Sequence, residues 1–306
     1  MKHYTVLKKE SIEALNIKSD GVYVDATLGY AGDASEILKR IKRGFLFAFD
    51  RDIDAIRYSE KVLSSISDRY KIIHSAFSSL SLKLQEEGIS KVDGILFDLG
   101  VSSPQLDENR GFSFMRDEVL DMRMNQDDKK TAQDVLNTYS FEELKTIFYS
   151  YGEEKKSSFI ASEIVLAREK KPITTTQELC SIILKAVGAK YFYKTHPERN
   201  IFQAIRIEVN NELKEIEKVL PEAISLLNPG GRLAVISFHS LEDRIVKRVF
   251  KKYSEVDRLV KGLPEIPKEY KPMVRLVNKK PIVPSKEELD ENSRSASAKL
   301  RIVERL

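Results

Sequence analysis

Three short apolar runs within the first hundred residues each end in a loop that carries a carboxylate. They are Val22-Tyr23-Val24-Asp25 leading into Gly29-Tyr30-Ala31-Gly32-Asp33, Phe45-Leu46-Phe47-Ala48-Phe49-Asp50, and Gly94-Ile95-Leu96-Phe97-Asp98-Leu99-Gly100. Each reads as a strand. In an open parallel α/β sheet, ligands bind outside the carboxyl ends of the strands, where strand order reverses. The pattern therefore suits a chain built to hold a nucleotide-like cofactor.

Between these runs the chain alternates with helical spacing. Ala34 to Ile41 and Ile53 to Leu63 read as helices, Tyr70 to His74 as a further strand, and Leu80, Leu82 and Leu84 as part of another helix. Repeated βα units imply a parallel sheet with helices on both faces. Arg206 to Leu227 reads as one helix, with Val209, Leu213, Ile216, Leu220, Ile224 and Leu227 stepping by three or four, stopped by Asn228-Pro229-Gly230-Gly231. Leu233 to Phe238 follows as a buried strand. About 130 residues separate it from the strand that should be its neighbour, where a crossover needs only a few dozen. The reading is a discontinuous main domain, 1–106 and 204–306, with a small helical domain inserted at 107–203. Ser140 with Glu143, and Thr175 or Thr176 before Gln177, mark helix starts inside the insert. Half of the ten prolines fall between Pro264 and Pro284, an irregular excursion before Lys299 to Glu304 alternates as a closing strand.

At 306 residues, 42% apolar and 32% charged, the chain has the material for a sizeable core. Its one cysteine, Cys180, makes no internal disulfide, no Cys/His run has zinc spacing, and no apolar stretch approaches ~18 residues. A cytoplasmic protein without structural metal or membrane span is expected. The net charge of +4 is uneven: Arg244 to Lys280 holds twelve Lys/Arg against four Asp/Glu. That segment is either a phosphate-contacting surface or a solvated amphipathic helix followed by a basic loop.

The first loop helps to choose the cofactor. A dinucleotide needs G-x-G-x-x-G, and Gly29-Tyr30-Ala31-Gly32 lacks it. S-adenosylmethionine has no phosphate and tolerates a looser loop. Asp50 suits two ribose hydroxyls, and Phe77 suits an adenine face; the alternatives are helix capping for Asp25, Asp50 and Asp98, and core packing for Phe77. The fourth strand continues into Asp98-Leu99-Gly100-Val101-Ser102-Ser103-Pro104-Gln105, in which Ser103-Pro104-Gln105 resembles a shortened form of the Asp/Asn/Ser-Pro-Pro-aromatic element of enzymes that methylate exocyclic amines, the alternative being that Ser-Pro is a common turn former. Such an amine shares its lone pair with the ring, so acceptors for its N–H protons must restore nucleophilicity. Asp98, Ser103, Pro104 and His239 are the catalytic candidates. His239, with Ser237 and Phe238, lies where the fifth strand ends beside the fourth; there Ser240 and Asp243 are alternatively mere helix caps. His3, His74 and His196 have no partners at ligand spacing.

With these strings, and with Val92 to Asp107, Arg110-Gly111-Phe112-Ser113-Phe114, Leu120 to Met124, Tyr151-Gly152-Glu153-Glu154, Phe202 to Ile207, Val235 to Lys247 and Arg294 to Arg301, the chain resembles the bacterial ribosomal RNA small subunit methyltransferase H family. The resemblance implies a class I S-adenosylmethionine-dependent methyltransferase, Rossmann-like, that methylates N4 of a cytidine in the decoding region of 16S rRNA, within the small ribosomal subunit. It implies a cofactor held by Gly29, Ala31, Gly32, Asp33, Asp50, Phe77, Asp98 and Gln105. The family loop usually reads T-[LF]-G-x-G-G-H-S; this chain has Ala31 for the first paired glycine and Asp33 for the histidine. Arg110, Phe112, Phe114, Arg116 and Arg123 interleave cations with aromatics, as an RNA contact does, although Asp117, Glu118 and Asp121 offer them structural partners. Arg244 and Lys247 are the further RNA-contact candidates. A ribosome-assembly factor with little turnover and an NAD-dependent oxidoreductase stay as alternatives, and the oligomeric state, monomer or homodimer, is open.

Overall fold

The computed structural model describes residues 5–101, 109–257 and 260–306. Strands β1 (Val22–Asp25), β2 (Phe45–Asp50), β3 (Tyr70–His74), β4 (Val92–Asp98), β5 (Leu227–Ser237), β6 (Val274–Leu276) and β7 (Lys299–Arg305) form one sheet in the order β3-β2-β1-β4-β5-β7-β6. The first five strands in that order are parallel, and β7 and β6 run antiparallel. This is the expected mixed, mainly parallel fold. Strand order reverses between β1 and β4, so their carboxyl ends form the ligand crevice of such a sheet.

Side chains alternate between two cores with the period of a strand. Phe47, Phe49, Ile95, Phe97, Leu233 and Val235 face one core, with α4 (Leu80–Glu86), α11 (Glu212–Leu226) and α12 (Ser240–Ser254). Leu46, Ala48, Leu96, Ala234 and Ile236 face the other, with α1 (Lys8–Ala14), α2 (Gly32–Arg40) and α3 (Ile53–Ser64). Each fully buried Leu or Phe contributes about 1.5–3 kcal/mol, so the alternation fixes which residues point where.

A separate compact unit spans Val101–Glu212, and the sheet unit comprises Met1–Gly100 and Leu213–Leu306. The helical unit contains α5 (Ala132–Thr138), α6 (Phe141–Ser150), α7 (Ser157–Arg168), α8 (Thr176–Val187), α9 (Ala189–Thr195) and α10 (Pro197–Asn210). Its boundary lies beyond Gln203 because Ile201, Phe202, Ile205 and Val209 of α10 are buried with Leu136, Phe148 and Ile160. Thr131 with Asp134, Ser140 with Glu143 and Thr175 with Glu178 form reciprocal capping boxes, each N-cap contributing about 1 kcal/mol.

Several boundaries differ from the sequence reading. The single helix expected over Arg206 to Leu227 is two, because Asn211 takes the left-handed conformation at φ 51° and ends α10. Apolar spacing runs through the junction and conceals it. Asn228-Pro229-Gly230-Gly231 is a register shift within β5 opposite Val92 and Gly94, not a helix stop. Helix α2 begins at Gly32, two residues earlier than expected. The tail adds the short α13 (Lys286–Glu291), whose Glu288 carboxylate accepts from the Leu7 backbone N–H at 2.8 Å. No helix among the described residues is long and apolar enough to cross a membrane.

Candidate active site

The β1–α2 loop is tied to both neighbouring strands. Ala26 N–H donates to Leu96 O, Leu28 N–H to Phe49 O, and Gly29 N–H to the Asp50 carboxylate at 2.7 Å. Gly29 stands at φ 48° and Ala31 at φ 62°. Ala31 thus carries a Cβ in a conformation that costs L-residues roughly 1–2 kcal/mol. A Cβ on Gly32 would lie 1.9 Å from Thr5 Oγ1, so the close approach this glycine permits is that of the N-terminal segment. Asp33 also faces that segment and accepts from the Ser11 hydroxyl at 3.0 Å.

Asp50 is held by two backbone donors, Gly29 N–H and Asp52 N–H, and does not cap α3. That role belongs to Asp52, which accepts from Asp54 N–H. The Asp50 carboxylate keeps acceptor capacity on both oxygens. Phe77 is half-buried, meets Phe97 edge to face at 5.6 Å and lies under the Arg51 guanidinium at 5.8 Å. It therefore packs on the core, as the alternative reading had it, while standing at the ligand edge of the sheet.

Asp25, Asp33 and Asp98 are gathered without an opposing ion pair among the described residues. The Asp98 N–H donates to Thr27 Oγ1 at 2.6 Å, but its carboxylate Oδ1 is buried with no hydrogen-bond partner. Burial and then the Asp33, Asp25 and Glu242 charges push the Asp98 carboxyl well above the ordinary range. Burial and then Asp33 raise Asp25 to about 8; burial, against the Ser11 hydrogen bond and Lys8, raises Asp33 to about 7. Asp50 is raised too, chiefly by burial. Ser103, Pro104 and Gln105, and also His3, lie outside the described residues.

β5 ends beside β4, with Asp98 opposite Ile236. The cap of α12 is neither Ser240 nor Asp243. His239 is the N-cap, its Nδ1 accepting from Glu242 N–H, while the Glu242 carboxylate accepts from the Phe238 and His239 N–H groups. Asp243 instead pairs with Arg301 and Lys299. Glu242 is wholly buried, with one oxygen 3.2 Å from His239 Nε2. That oxygen and Nε2 make no aligned hydrogen bond, so both stay unsatisfied like Asp98 Oδ1. Glu242 was missed as a site residue; its signal is the three-residue spacing of a capping box with His in the place usually held by Ser or Thr.

The RNA-contact candidates in the helical unit are employed within it. Arg110 is buried and donates to the Arg123 and Met124 carbonyls, and Phe112 is buried under its guanidinium. Arg123 grips Asp121 with two nitrogens and donates to the Gln126 and Asp128 carbonyls. Arg116 pairs with the buried Glu118 at 3.2 Å but remains half-exposed. The structural partners have the stronger claim on Arg110, Phe112 and Arg123. Arg244 and Lys247 are exposed on α12.

Comparison with known proteins gives a match to the model of the MraW methylase family over residues 1–306. Among solved structures, the chain is similar to a candidate rRNA methylase from Clostridium thermocellum (13% identity, all of both chains, TM-score 0.44). It is also similar to a rRNA methylase from Streptococcus thermophilus (12%, 98% and 93% covered, 0.43) and to a protein from Streptococcus mutans in complex with SAH (11%, 99% of each, 0.46).

Proposed function

Since the chain belongs to the MraW methylase family, and so is an S-adenosylmethionine-dependent methyltransferase of rRNA, we propose that it methylates N4 of a cytidine in the decoding region of 16S rRNA. The observation that carries this reading is the buried Asp98 Oδ1, which has no hydrogen-bond partner, beside other acids at the strand-order switch.

The residues present fit the cofactor's chemistry. S-adenosylmethionine, when bound, supplies an electrophilic methyl on a sulfonium, beside an ammonium and two ribose hydroxyls. Asp25, Asp33 and Asp98, which form no ion pair among the described residues and of which only Asp33 feels a nearby cation, Lys8, are the complement of such positive charge, since each ionises more readily beside it. Asp50, fixed by two backbone donors, has lone pairs for the ribose. Phe77 offers a face to the adenine. Gln105, by resemblance, completes the set.

For the target, Asp98 is the acceptor that stands at the strand end, while His239, whose Nδ1 already accepts from Glu242 N–H, has Nε2–H as a donor to orient the base. An acceptor aimed at the amine N–H restores nucleophilicity by opposing delocalisation into the ring. The amine must lose one proton, and an acid whose pKa is raised by burial is better matched to take it than an ordinary carboxylate. Glu242 acts one step back, holding the backbone of Phe238 and His239 so that the imidazole keeps its place. The base must leave its stack to reach these groups.

The test is transfer of labelled methyl to small ribosomal subunits that lack the modification, followed by nucleoside analysis. Label recovered as N4-methylated cytidine is the expected result. Label on another nucleoside overturns the N4 assignment, and stable subunit binding without label favours an assembly factor.

A further inference from the structure

The solvent face of α12 is a stripe of cations. Arg244, Lys247, Arg248, Lys251 and Lys252 are exposed and fall within an arc of about 140° at 3.6 residues per turn. The opposite face, with Ile245, Val246, Val249 and Phe250, is buried in the core. A basic helix with an open apolar side suits a lipid surface, but here that side is already used. The acids near the helix start are withdrawn: Glu242 is buried and Asp243 is tied to Arg301. Arg248 pairs with Glu217, whereas Lys247 and Lys251 form no ion pair among the described residues. Met273 N–H donates to Tyr253 O at 2.9 Å, which seats the basic excursion against the end of this helix, with Lys268 and Lys271 exposed in it.

The stripe also has a direction. Its helix is capped by His239, one strand from Asp98, and Lys247 and Lys251 stand about 12 and 18 Å along the axis from that cap. A nucleotide turned out toward the strand ends keeps its flanking phosphates outside, and phosphates are what unpaired lysines neutralise.

We propose that this face of α12, with Lys247 and Lys251 at its centre, is the track that binds the rRNA phosphate backbone flanking the target nucleotide; the proposal rests on the rRNA-methyltransferase reading above. The helical unit's Arg110 and Arg123 are framework and take no part in it. Binding through the track is insensitive to base sequence and sensitive to salt.

The test compares the full-length wild type with Lys247→Ala/Lys251→Ala for binding a 16S rRNA fragment across a salt series, with melting temperature and S-adenosylmethionine affinity as controls. Loss of two phosphate contacts is expected to reduce the slope of log affinity against log salt by about 2 while both controls hold. Lys247→Arg/Lys251→Arg restores the slope. An unchanged slope overturns the proposal, as does a slope that responds only to Arg116→Ala, which places the contacts in the helical unit. Salt-dependent binding to polyglutamate that exceeds binding to RNA assigns the face to an acidic protein and equally overturns it. Wild type that binds RNA through these lysines yet transfers no methyl to it contradicts the functional reading and leaves the track intact.

Discussion

Both units bury charge, and they do so in opposite ways. In the helical unit Asp121 meets Arg123, Glu118 meets Arg116 and Arg206 meets Glu212; the Arg123 guanidinium, with its hydrogen bonds, holds the Asp121 carboxyl below its usual range despite burial. At the sheet edge Asp25, Asp33, Asp98 and Glu242 raise or crowd one another, and Asp98 is displaced upward. Charge answered by opposite charge stabilises a fold or is neutral to it; like charges buried together weaken it unless a ligand supplies the counter-charge. The first arrangement suits a framework, and the second is what the proposed cofactor site calls for.

Replacement of Glu242 by Ala should damage the site side severely. It removes the acceptor for two N–H groups at the α12 start and lets His239 shift, and a misplacement of about 1 Å costs about a hundredfold in rate. Methyl transfer under saturating cofactor measures this, and a rate within a factor of three of wild type would break the comparison. Arg110→Met tests the other side: it leaves the Arg123 and Met124 carbonyls without their donor and should cost about 2–3 kcal/mol in denaturant unfolding, with little change in cofactor affinity.

The acid cluster carries a pH signature. An acid whose pKa is raised in the fold keeps its proton while the unfolded chain has lost it. Its stabilising contribution is therefore complete below about pH 4 and is lost as pH climbs toward the folded values, about 7 for Asp33 and about 8 for Asp25. Cofactor-free protein should melt at a falling temperature from pH 5 to 8.5. Cofactor affinity should rise over pH 7–8 by up to about tenfold per unit for each proton released, which calorimetry in buffers of different ionisation enthalpy detects. The smallest effect belongs to Ala31→Gly, where relief of the left-handed Cβ exceeds the added unfolded-state entropy and should stabilise by about 0.5–1 kcal/mol. A destabilisation there would mean that the loop is held by the Ala31 methyl.

Much of this was readable from the chain because it depends on local pattern. Short apolar runs located the five parallel strands, and the carboxylates that end three of them, Asp25, Asp50 and Asp98, pointed to the candidate site. What escaped depends on partners far away in sequence. Gly32 looks like a cofactor glycine until Thr5 is seen beside it, and Arg123 looks like an RNA contact until the Gln126 and Asp128 carbonyls are found in its grip. The break at Asn211 escaped for another reason: apolar spacing records which face is buried, not whether the backbone is continuous. His239 as an N-cap is an uncommon choice, visible only with Glu242 placed against it.

The most direct measurement is Asp98→Asn, read for methyl transfer to rRNA and for melting temperature in the same preparation. If the carboxylate is kept for chemistry, transfer falls about 10²–10³-fold while the cofactor-free protein melts no lower than wild type, because one member of a like-charged group has been neutralised. Transfer near the wild-type rate, or a melting temperature several degrees lower, would contradict the account and make Asp98 part of the framework.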